Sequence, residues 1–495
     1  MTKRVLNSSG SKTYDANTDA LAAAITLSNL VSGEALNHSG TATISSANAG
    51  SYTITNLSGI SIADGSGGTA SNYTLTGGTH NFTVNRRAVS VSGTRLYDAT
   101  TNAVASDLST HANLVGSETL NLSGTGTIAS KNVGSNKTVS VGTLALADGS
   151  NGGLAANYTL SGGTHQLTVN QRPLNATLAR QYDGTTTAAG SDLSSFDALQ
   201  GGETLTMTGS GTAASANVAN GIAMSSNGTL ALADGTGSAS NYSLNSTVIN
   251  IAQRVLNSSG SKTYDANTDA LAAAITLSNL VSGEALNHSG TATISSANAG
   301  SYTITNLSGI SIADGSGGTA SNYTLTGGTH NFTVDTKVVS IQGNKIYDNT
   351  TTISSGDITS VSDTVGSETL VISGGIGTVS SANAATYASA SINEGTLTLG
   401  NGSNGGLASN YTLTGHAASS FQISQRVLSS SGSRIYDGST TASSSDLTLS
   451  NLVGSETLTL SGNGLLANAN VGSNKSVTLN TLSIADGTNG GLATN

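Results

Sequence analysis

A lysine, a tyrosine and an aspartate fall within four positions at Lys12, Tyr14 and Asp15. The same set returns as Arg95, Tyr97 and Asp98, as Arg180, Tyr182 and Asp183, and as Lys262, Tyr264 and Asp265. It returns again as Lys345, Tyr347 and Asp348, and as Arg434, Tyr436 and Asp437. A phenol between a cation and a carboxylate has the parts for general acid–base chemistry, provided a partner of shifted pKa meets it inside a cleft. That partner is missing from the pattern. His38, His80, His111, His165, His288, His330 and His416 share no position across all the copies, so no triad forms. His38 and His288 stand where other copies have Leu122, Met207, Ile372 and Leu460, a partly buried strand position. There is no HExxH, no GxxxxGK[ST] and no cysteine, which excludes thiolate nucleophiles, thiolate zinc sites and disulfides. Six copies of one catalytic site would also make an unusual enzyme. The expectation is a protein that is not an enzyme, without catalytic, cofactor or metal residues.

The same residues have a structural reading. In a strand, Lys12 and Tyr14 share a face and Asp15 takes the other. The tyrosine supplies the largest apolar surface of a core built from Leu, Val, Ile and Ala, with its hydroxyl at the edge for a hydrogen bond. The aspartate opens an Asx turn, as in YDGTTT from Tyr182 and YDGSTT from Tyr436, where glycine accepts positive φ. The basic residue lays its stem on the ring or pairs with the nearest glutamate, of which Glu118 is an example.

Repetition supplies the elements that hold these residues. The tyrosines are spaced by 83, 85, 82, 83 and 89 residues. Each is followed by a turn ending in glutamate (Glu34, Glu118, Glu203, Glu284, Glu368, Glu456). Next comes an Ala-Asp-Gly loop (Asp64, Asp148, Asp234, Asp314, Asp486), replaced by Asn401-Gly402 in the fifth copy, and then an Asn-Tyr segment at Tyr73, Tyr158, Tyr242, Tyr323 and Tyr411. The repeats run 4–85, 86–171, 172–253, 254–336, 337–425 and 426–495, the sixth truncated; residues 4–84 and 254–334 are identical over 81 positions. A basic residue stands eight positions before each Lys/Arg of the motif, from Arg4 to Arg426, which marks a first strand of fixed register.

GSETLNLSGTGTI from Gly116 alternates apolar and polar residues with the period of a half-buried strand. NYTLTGGTHNFTV from Asn72 reads as two short strands about a Gly-Gly turn, and DALAAAITLSNL from Asp19 has room for a turn or two of helix. The expected class is all-β: a tandem array of about six compact β-rich modules of 82–89 residues, each with its own small core. The alternative is a continuous β-solenoid, but self-similarity occurs at the module length and not at a coil length. Modules of this size are about 30 Å across, so six in line would make a rod on the order of 180 Å.

Composition narrows the partners. Charged residues are 9% of the chain, against roughly 25% in typical soluble domains, and the net charge of -10 is dispersed. No basic stripe is available for nucleic acid. No apolar run spans a bilayer, and MTKRVLNSSG lacks the apolar core of a signal peptide. No cofactor is expected. Calcium is the one candidate, at loops such as ADGSNGGLAAN from Ala147, yet these offer one carboxylate where calcium wants several. Asn-X-Ser/Thr sequons occur at Asn72, Asn157, Asn322 and Asn410, as expected of a chain this rich in Asn, Ser and Thr.

The run [Lys/Arg]-x-Tyr-Asp-Gly-x-Thr, then Gly-Ser-Glu-Thr-Leu, Leu-Ala-Asp-Gly and Asn-Tyr-Thr-Leu, resembles the YDG repeat of large bacterial surface proteins, similar to filamentous-haemagglutinin-type adhesins. QYDGTTTAAGSDL from Gln181 and IYDGSTTASSSDL from Ile435 carry the likeness best, whereas copies one and four read YDAN. The resemblance implies a stalk of a secreted, cell-surface adhesin that extends a binding domain and supports adhesion or biofilm. It implies export of larger parents by an outer-membrane secretion partner. The alternative is a multivalent array that itself binds glycans or proteins of a host or neighbouring cell.

Overall fold

The computed structural model describes all 495 residues. Strands joined by turns and single 3-10 turns make up the fold, with no α-helix. The chain divides into two compact units, Met1–Ala252 and Gln253–Asn495. The architecture is all-β, built of tandem modules.

The first module shows the plan. Its strands are Arg4–Val5, Asn7–Thr13, Asp19–Leu21, Ile25–Ser28, Leu36–Ile44, Gly50–Asn56, Ile60–Asp64, Tyr73–Thr74 and His80–Asn85. In the main sheet the order is Asp19–Leu21, Leu36–Ile44, Gly50–Asn56, His80–Asn85, Asn7–Thr13, Ile25–Ser28. The first long strand therefore lies parallel beside the last, with Ser8 opposite His80 and Thr13 opposite Asn85. Each of the first five modules closes on itself through such a pair. A solenoid would pair coil with coil, so this closure sets the alternative aside.

The two strands expected about the Gly-Gly turn exist, but they do not form a hairpin. Tyr73–Thr74 runs parallel to Arg4–Val5, and His80–Asn85 runs parallel to Asn7–Thr13. In the third module, where NYSLNSTVINIA has no Gly-Gly, the two merge into one strand, Tyr242–Ala252, beside Arg172–Gln181. The room for helix after Asp19 is used by a single 3-10 turn, Ala22–Ala24, because Asp19–Leu21 and Ile25–Ser28 on either side are claimed by sheet pairing. The alternating stretch from Gly116 breaks at Gly124 (φ +85) into Leu120–Ser123 and Thr125–Ile128. A Cβ there would meet the Thr143 carbonyl oxygen at 2.1 Å, so a close backbone approach fixes the break.

The cores of the first two modules run into one another, and so do those of the fourth and fifth. Within Met1–Ala252 one apolar cluster runs from Tyr14, Phe82 and Val84 through Tyr97, Leu167 and Val169 to Leu205 and Tyr242. A second, in the other unit, runs from Tyr264 through Phe332 and Tyr347 to Phe421 and Ile423. Tyrosines bridge the modules, and the reason lies in where their hydroxyls go.

Candidate functional site

The motif tyrosine ends the first strand of its module. Tyr14 follows Asn7–Thr13 directly, and its N–H still donates to the Asn85 carbonyl at 2.9 Å, so the ring is held in register with the module's last strand. Its hydroxyl then leaves the module. It donates to Glu118 Oε1 of the second module at 2.7 Å. Tyr158, from the Asn-Tyr segment of that second module, donates to the other oxygen of the same carboxylate at 2.5 Å. The two rings meet edge to face, centroids 5.3 Å apart at 78°. One carboxylate thus clasps two phenols, one from each side of a junction.

The arrangement recurs. Tyr97 and Tyr242 share Glu203 at 2.6 and 2.9 Å, with rings 5.3 Å apart. Tyr264 and Tyr411 share Glu368 at 2.7 and 2.6 Å, again 5.3 Å apart. Tyr347 donates to Glu456 at 2.5 Å. The Asn-Tyr tyrosine is satisfied twice, because its hydroxyl also accepts a backbone N–H, from Val115 to Tyr158 at 3.0 Å and from Val365 to Tyr411 at 2.9 Å. Bonds to an ionised acceptor are among the stronger ones, and each edge-to-face pair adds roughly 0.5–1.5 kcal/mol.

Burial follows the clasp. Tyr14, Tyr97, Tyr182, Tyr264 and Tyr347 are buried, while Tyr436 in the last module is 62% exposed. Burial, and then the hydrogen bond to Glu118, pushes the Tyr14 and Tyr158 hydroxyls up to about 12. Burial and Glu368 do the same to Tyr264, at about 12. These phenols are held protonated, as donors. At Glu203 burial pushes the carboxyl up, but bonds from Lys131, Tyr97 and Tyr242 outweigh it and hold the group below its usual range. Lys131 sits outside the eight-residue basic pattern, yet its Nζ lies 2.6 Å from Glu203 and 5.9 Å from the centre of the Tyr97 ring.

The basic residue and aspartate of the motif do something else. The expected glutamate pairing is wrong: Lys12 pairs with Asp15 at 2.8 Å, Arg95 with Asp98 at 2.9 Å, Lys262 with Asp265 at 2.8 Å, Lys345 with Asp348 and Arg434 with Asp437 both at 2.9 Å. Arg180 contacts Asp183 in the same way. The chain turns immediately after the tyrosine, which brings the two ends of the motif together despite strand alternation. The turn is Asx-type, since Asp98 Oδ1 accepts the Thr100 N–H at 2.9 Å and Asp183 that of Thr185 at 2.9 Å. The residue after the aspartate is left-handed in every copy: Ala16 (φ 61), Ala99 (61), Gly184 (78), Ala266 (63), Asn349 (59) and Gly438 (75).

Two further groups act at the junction in roles that the sequence reading did not give them. Asn157, fully buried, accepts the Ala49 N–H of the preceding module at 2.8 Å and donates to Asn48 Oδ1 at 3.0 Å. Asn241 does this with Val133 and Asn132, Asn410 with Ala299 and Asn298, and Asn495 with Ala384 and Asn383. The signal available was an asparagine before each Asn-Tyr tyrosine, together with a second one recurring as Asn48, Asn132, Asn298 and Asn383. A glycan on Asn157 or Asn410 would replace a hydrogen of the amide that bridges the junction. The first basic residue of a module also reaches back: Arg172 Nε donates to the Tyr97 carbonyl at 2.7 Å, and Arg426 to that of Tyr347 at 3.2 Å.

The Asp-Gly loops serve their own modules. Asp64 Oδ1 accepts the Ala70 N–H at 2.7 Å and Asp148 that of Ala155 at 2.8 Å, each holding the 3-10 turn that precedes the Asn-Tyr segment. Asn401 makes the equivalent bond to Ala408 at 2.8 Å, so an acceptor is required there and a charge is not. No group of three or more acidic or histidine side chains converges anywhere in the molecule. His80 is buried between Ser8 Oγ at 2.9 Å and the Leu75 carbonyl at 2.8 Å, a packing role repeated at His330. No helix is long and apolar enough to cross a membrane.

Comparison with known proteins places this geometry. No curated protein matches the chain. The YDG domain matches residues 2–83, 79–167, 164–249, 252–331 and 424–495. The fifth repeat, which lies between the last two matches, departs from the others: Asn401 replaces its loop aspartate, and a 3-10 turn at Ser389–Ser391 interrupts a strand. The matches tile most of the sequence, and the chain belongs to the YDG domain family as a tandem array of such repeats.

Proposed function

We propose that this chain is a non-catalytic spacer: the stalk of a secreted bacterial cell-surface adhesin of the filamentous-haemagglutinin type, which carries a binding domain away from the cell. One observation supports this above the rest. The residues with the most chemical potential, the motif tyrosines and the turn glutamates, are used to join one module to the next. A hydroxyl that is buried, stacked and bonded to a carboxylate is withdrawn from substrate. What the clasp provides is a reproducible joint.

The direct-binding alternative has less to draw on. Contact surfaces that hold a partner lean on Trp, Tyr and Arg. Tryptophan is absent, and Tyr436 is the one exposed aromatic ring among the 14 tyrosines and four phenylalanines. A repeated surface of serine, threonine and asparagine remains, which suits solubility in an extracellular stalk.

Small-angle scattering on chains of two, three and six modules tests the proposal. A spacer gives a maximum dimension that grows in proportion to module number. A dimension that levels off, or a glycan-array signal that multiplies with module number, favours the binding reading.

A further inference from the structure

Lys12 and Lys262 differ from the other motif cations in what they touch. Both pair with their aspartates, Lys12 Nζ with Asp15 Oδ1 and Lys262 Nζ with Asp265 Oδ1, at 2.8 Å. Both also meet a carboxamide: Lys12 Nζ donates to Asn17 Oδ1 at 2.7 Å, and Lys262 Nζ to Asn267 Oδ1 at 2.6 Å. At the same place the other copies carry a hydroxyl side chain, Thr100, Thr185, Thr350 or Ser439. In three of those copies the cation is arginine; in the fifth it is Lys345, whose Nζ donates to Thr350 Oγ1 at 2.8 Å. Of the six motifs, only those of the first and fourth modules set an amine against an acyl carbon.

The surroundings suit acyl transfer at that carboxamide. The Asp19 N–H donates to Asn17 Oδ1 at 2.9 Å and the Asp269 N–H to Asn267 Oδ1 at 2.8 Å. The oxygen that gains charge during an attack therefore already has a backbone donor. The carboxylate reaches both reacting groups, since Asp265 Oδ1 holds the amine while Asp265 Oδ2 accepts the Asn267 amide N–H at 2.9 Å. Carbonyls of Asn17 and Asp19, each 2.8 Å from Lys12 Nζ, fix the amine over the turn. Both lysine side chains are largely buried.

We propose that Lys12 joins Asn17, and Lys262 joins Asn267, in isopeptide bonds that each module forms on itself. Asp15 takes a proton from the lysine ammonium, and the freed amine attacks Cγ of Asn17. The Nζ–Cγ bond forms as the carbonyl electrons move to Oδ1, beside the Asp19 N–H. Asp15 passes its proton to Nδ2 and takes the second one from Nζ. The Cγ–Nδ2 bond breaks, and ammonia leaves with that last proton as ammonium. An ammonium and a carboxamide thus become a secondary amide and an ammonium ion, with no oxidant or co-reactant. Positioning of the two groups replaces the encounter step, and the aspartate supplies acid–base help. Each site reacts once and consumes no outside substrate, so the proposal does not rest on the stalk reading. The bond closes a ring through residues 12–17 around Tyr14, and so fixes the turn behind the clasp to Glu118.

The test is mass spectrometry of the purified full chain after incubation at neutral pH. The mass should fall short of the sequence by two molecules of ammonia. After denaturation, trypsin should not cut behind Lys12 or Lys262. Cleavage before Asp15 and Asp265 should leave the two pieces joined, which a succinimide at the asparagine does not do. Two lysines serve as internal controls and should be cut: Lys345, which has the carboxylate without the carboxamide, and Lys475, 2.7 Å from Asn468 Oδ1 without a carboxylate. Asn17→Thr with Asn267→Thr reproduces the residue set of the fifth module, which folds around Thr350, and should restore the two cleavages. Asp15→Asn with Asp265→Asn keeps an acceptor for the turn but carries no proton, and should slow joining about a hundredfold. Full sequence mass with both lysines cut, loss of water in place of ammonia, or unslowed joining in the asparagine variant would each overturn the proposal.

Discussion

The hydroxyl of Tyr14 and the carboxylate of Glu118 lie 2.7 Å apart although 104 residues separate them in sequence. The tyrosine directly follows the strand Asn7–Thr13 of one module, and the glutamate ends a tight turn of the next, where its N–H donates to the Val115 carbonyl at 3.1 Å. Each end is held by a backbone bond within its own module, Tyr14 to Asn85 and Glu118 to Val115, which limits the conformational freedom lost in bringing them together. This is why a small number of bonds joins modules into one cluster.

Removing the shared acceptor should therefore be felt on both sides. Glu118→Ala leaves two phenol O–H donors without their acceptor, and hydrogen bonds to charged groups contribute about 1.5–3 kcal/mol each. We expect a loss of about 3 kcal/mol in denaturant unfolding of the unit Met1–Ala252, and about half that for Glu34→Ala, whose carboxylate receives Tyr73. Tyr97→Phe should cost about 1–2 kcal/mol and Tyr436→Phe, at an exposed ring, less than about 0.5. Equal costs at the two tyrosines would remove the clasp as the source of stability.

The left-handed turn residue makes the second prediction. A non-glycine residue costs about 1–2 kcal/mol there, and glycine's extra freedom in the unfolded chain returns about 0.4–1. Ala16→Gly, Ala99→Gly or Ala266→Gly should then each stabilise by about 0.5–1 kcal/mol, and Gly184→Ala should destabilise by a similar amount. Melting curves of single variants decide it; destabilisation by all three glycines would show that the alanine methyl makes a contact worth more than the strain.

Alkali should open the junctions. The hydroxyls of Tyr14, Tyr158, Tyr242 and Tyr264 are raised to about 12 by burial and their glutamates. A raised folded-state value means the stabilisation is complete below the unfolded value near 10 and is lost as pH climbs through about 12. At Glu203, where the value is depressed, the contribution is complete above the ordinary glutamate range and fades as pH falls through the lowered value. The contribution of the clasps should stay level in between. Tyrosinate absorbance that develops near pH 10 in a chain that keeps its fold, and that accounts for most of the 14 tyrosines, would contradict the buried, donating phenols.

Much of this was legible in the residues. The period, the all-β class and the fixed first strand followed from spacing and alternation, because a repeated strand must repeat its register. The identity of the tyrosine's partner did not. A perfect repeat cannot say whether Tyr14 meets Glu34 or Glu118, since both offers recur with the same period. The Lys12–Asp15 pair was hidden because strand alternation put Asp15 on the face opposite Lys12, and the turn opened by the aspartate, which bends the chain after Tyr14, was not followed through to that pair. The asparagine pairs were hidden by composition: in a chain full of asparagine, Asn48 and Asn157 do not stand out until they touch.

The exact copy of residues 4–84 at 254–334 has a consequence for how such chains change length. Tyr14 and Tyr264 belong to identical sequences but are followed by different neighbours, and both reach the next glutamate at 2.7 Å with rings 5.3 Å apart. The coupling is therefore interchangeable, like a standard fitting on unlike pipes. Recombination that inserts or deletes a whole number of repeats brings its joints ready-made, and reach can evolve in steps without the invention of a new contact.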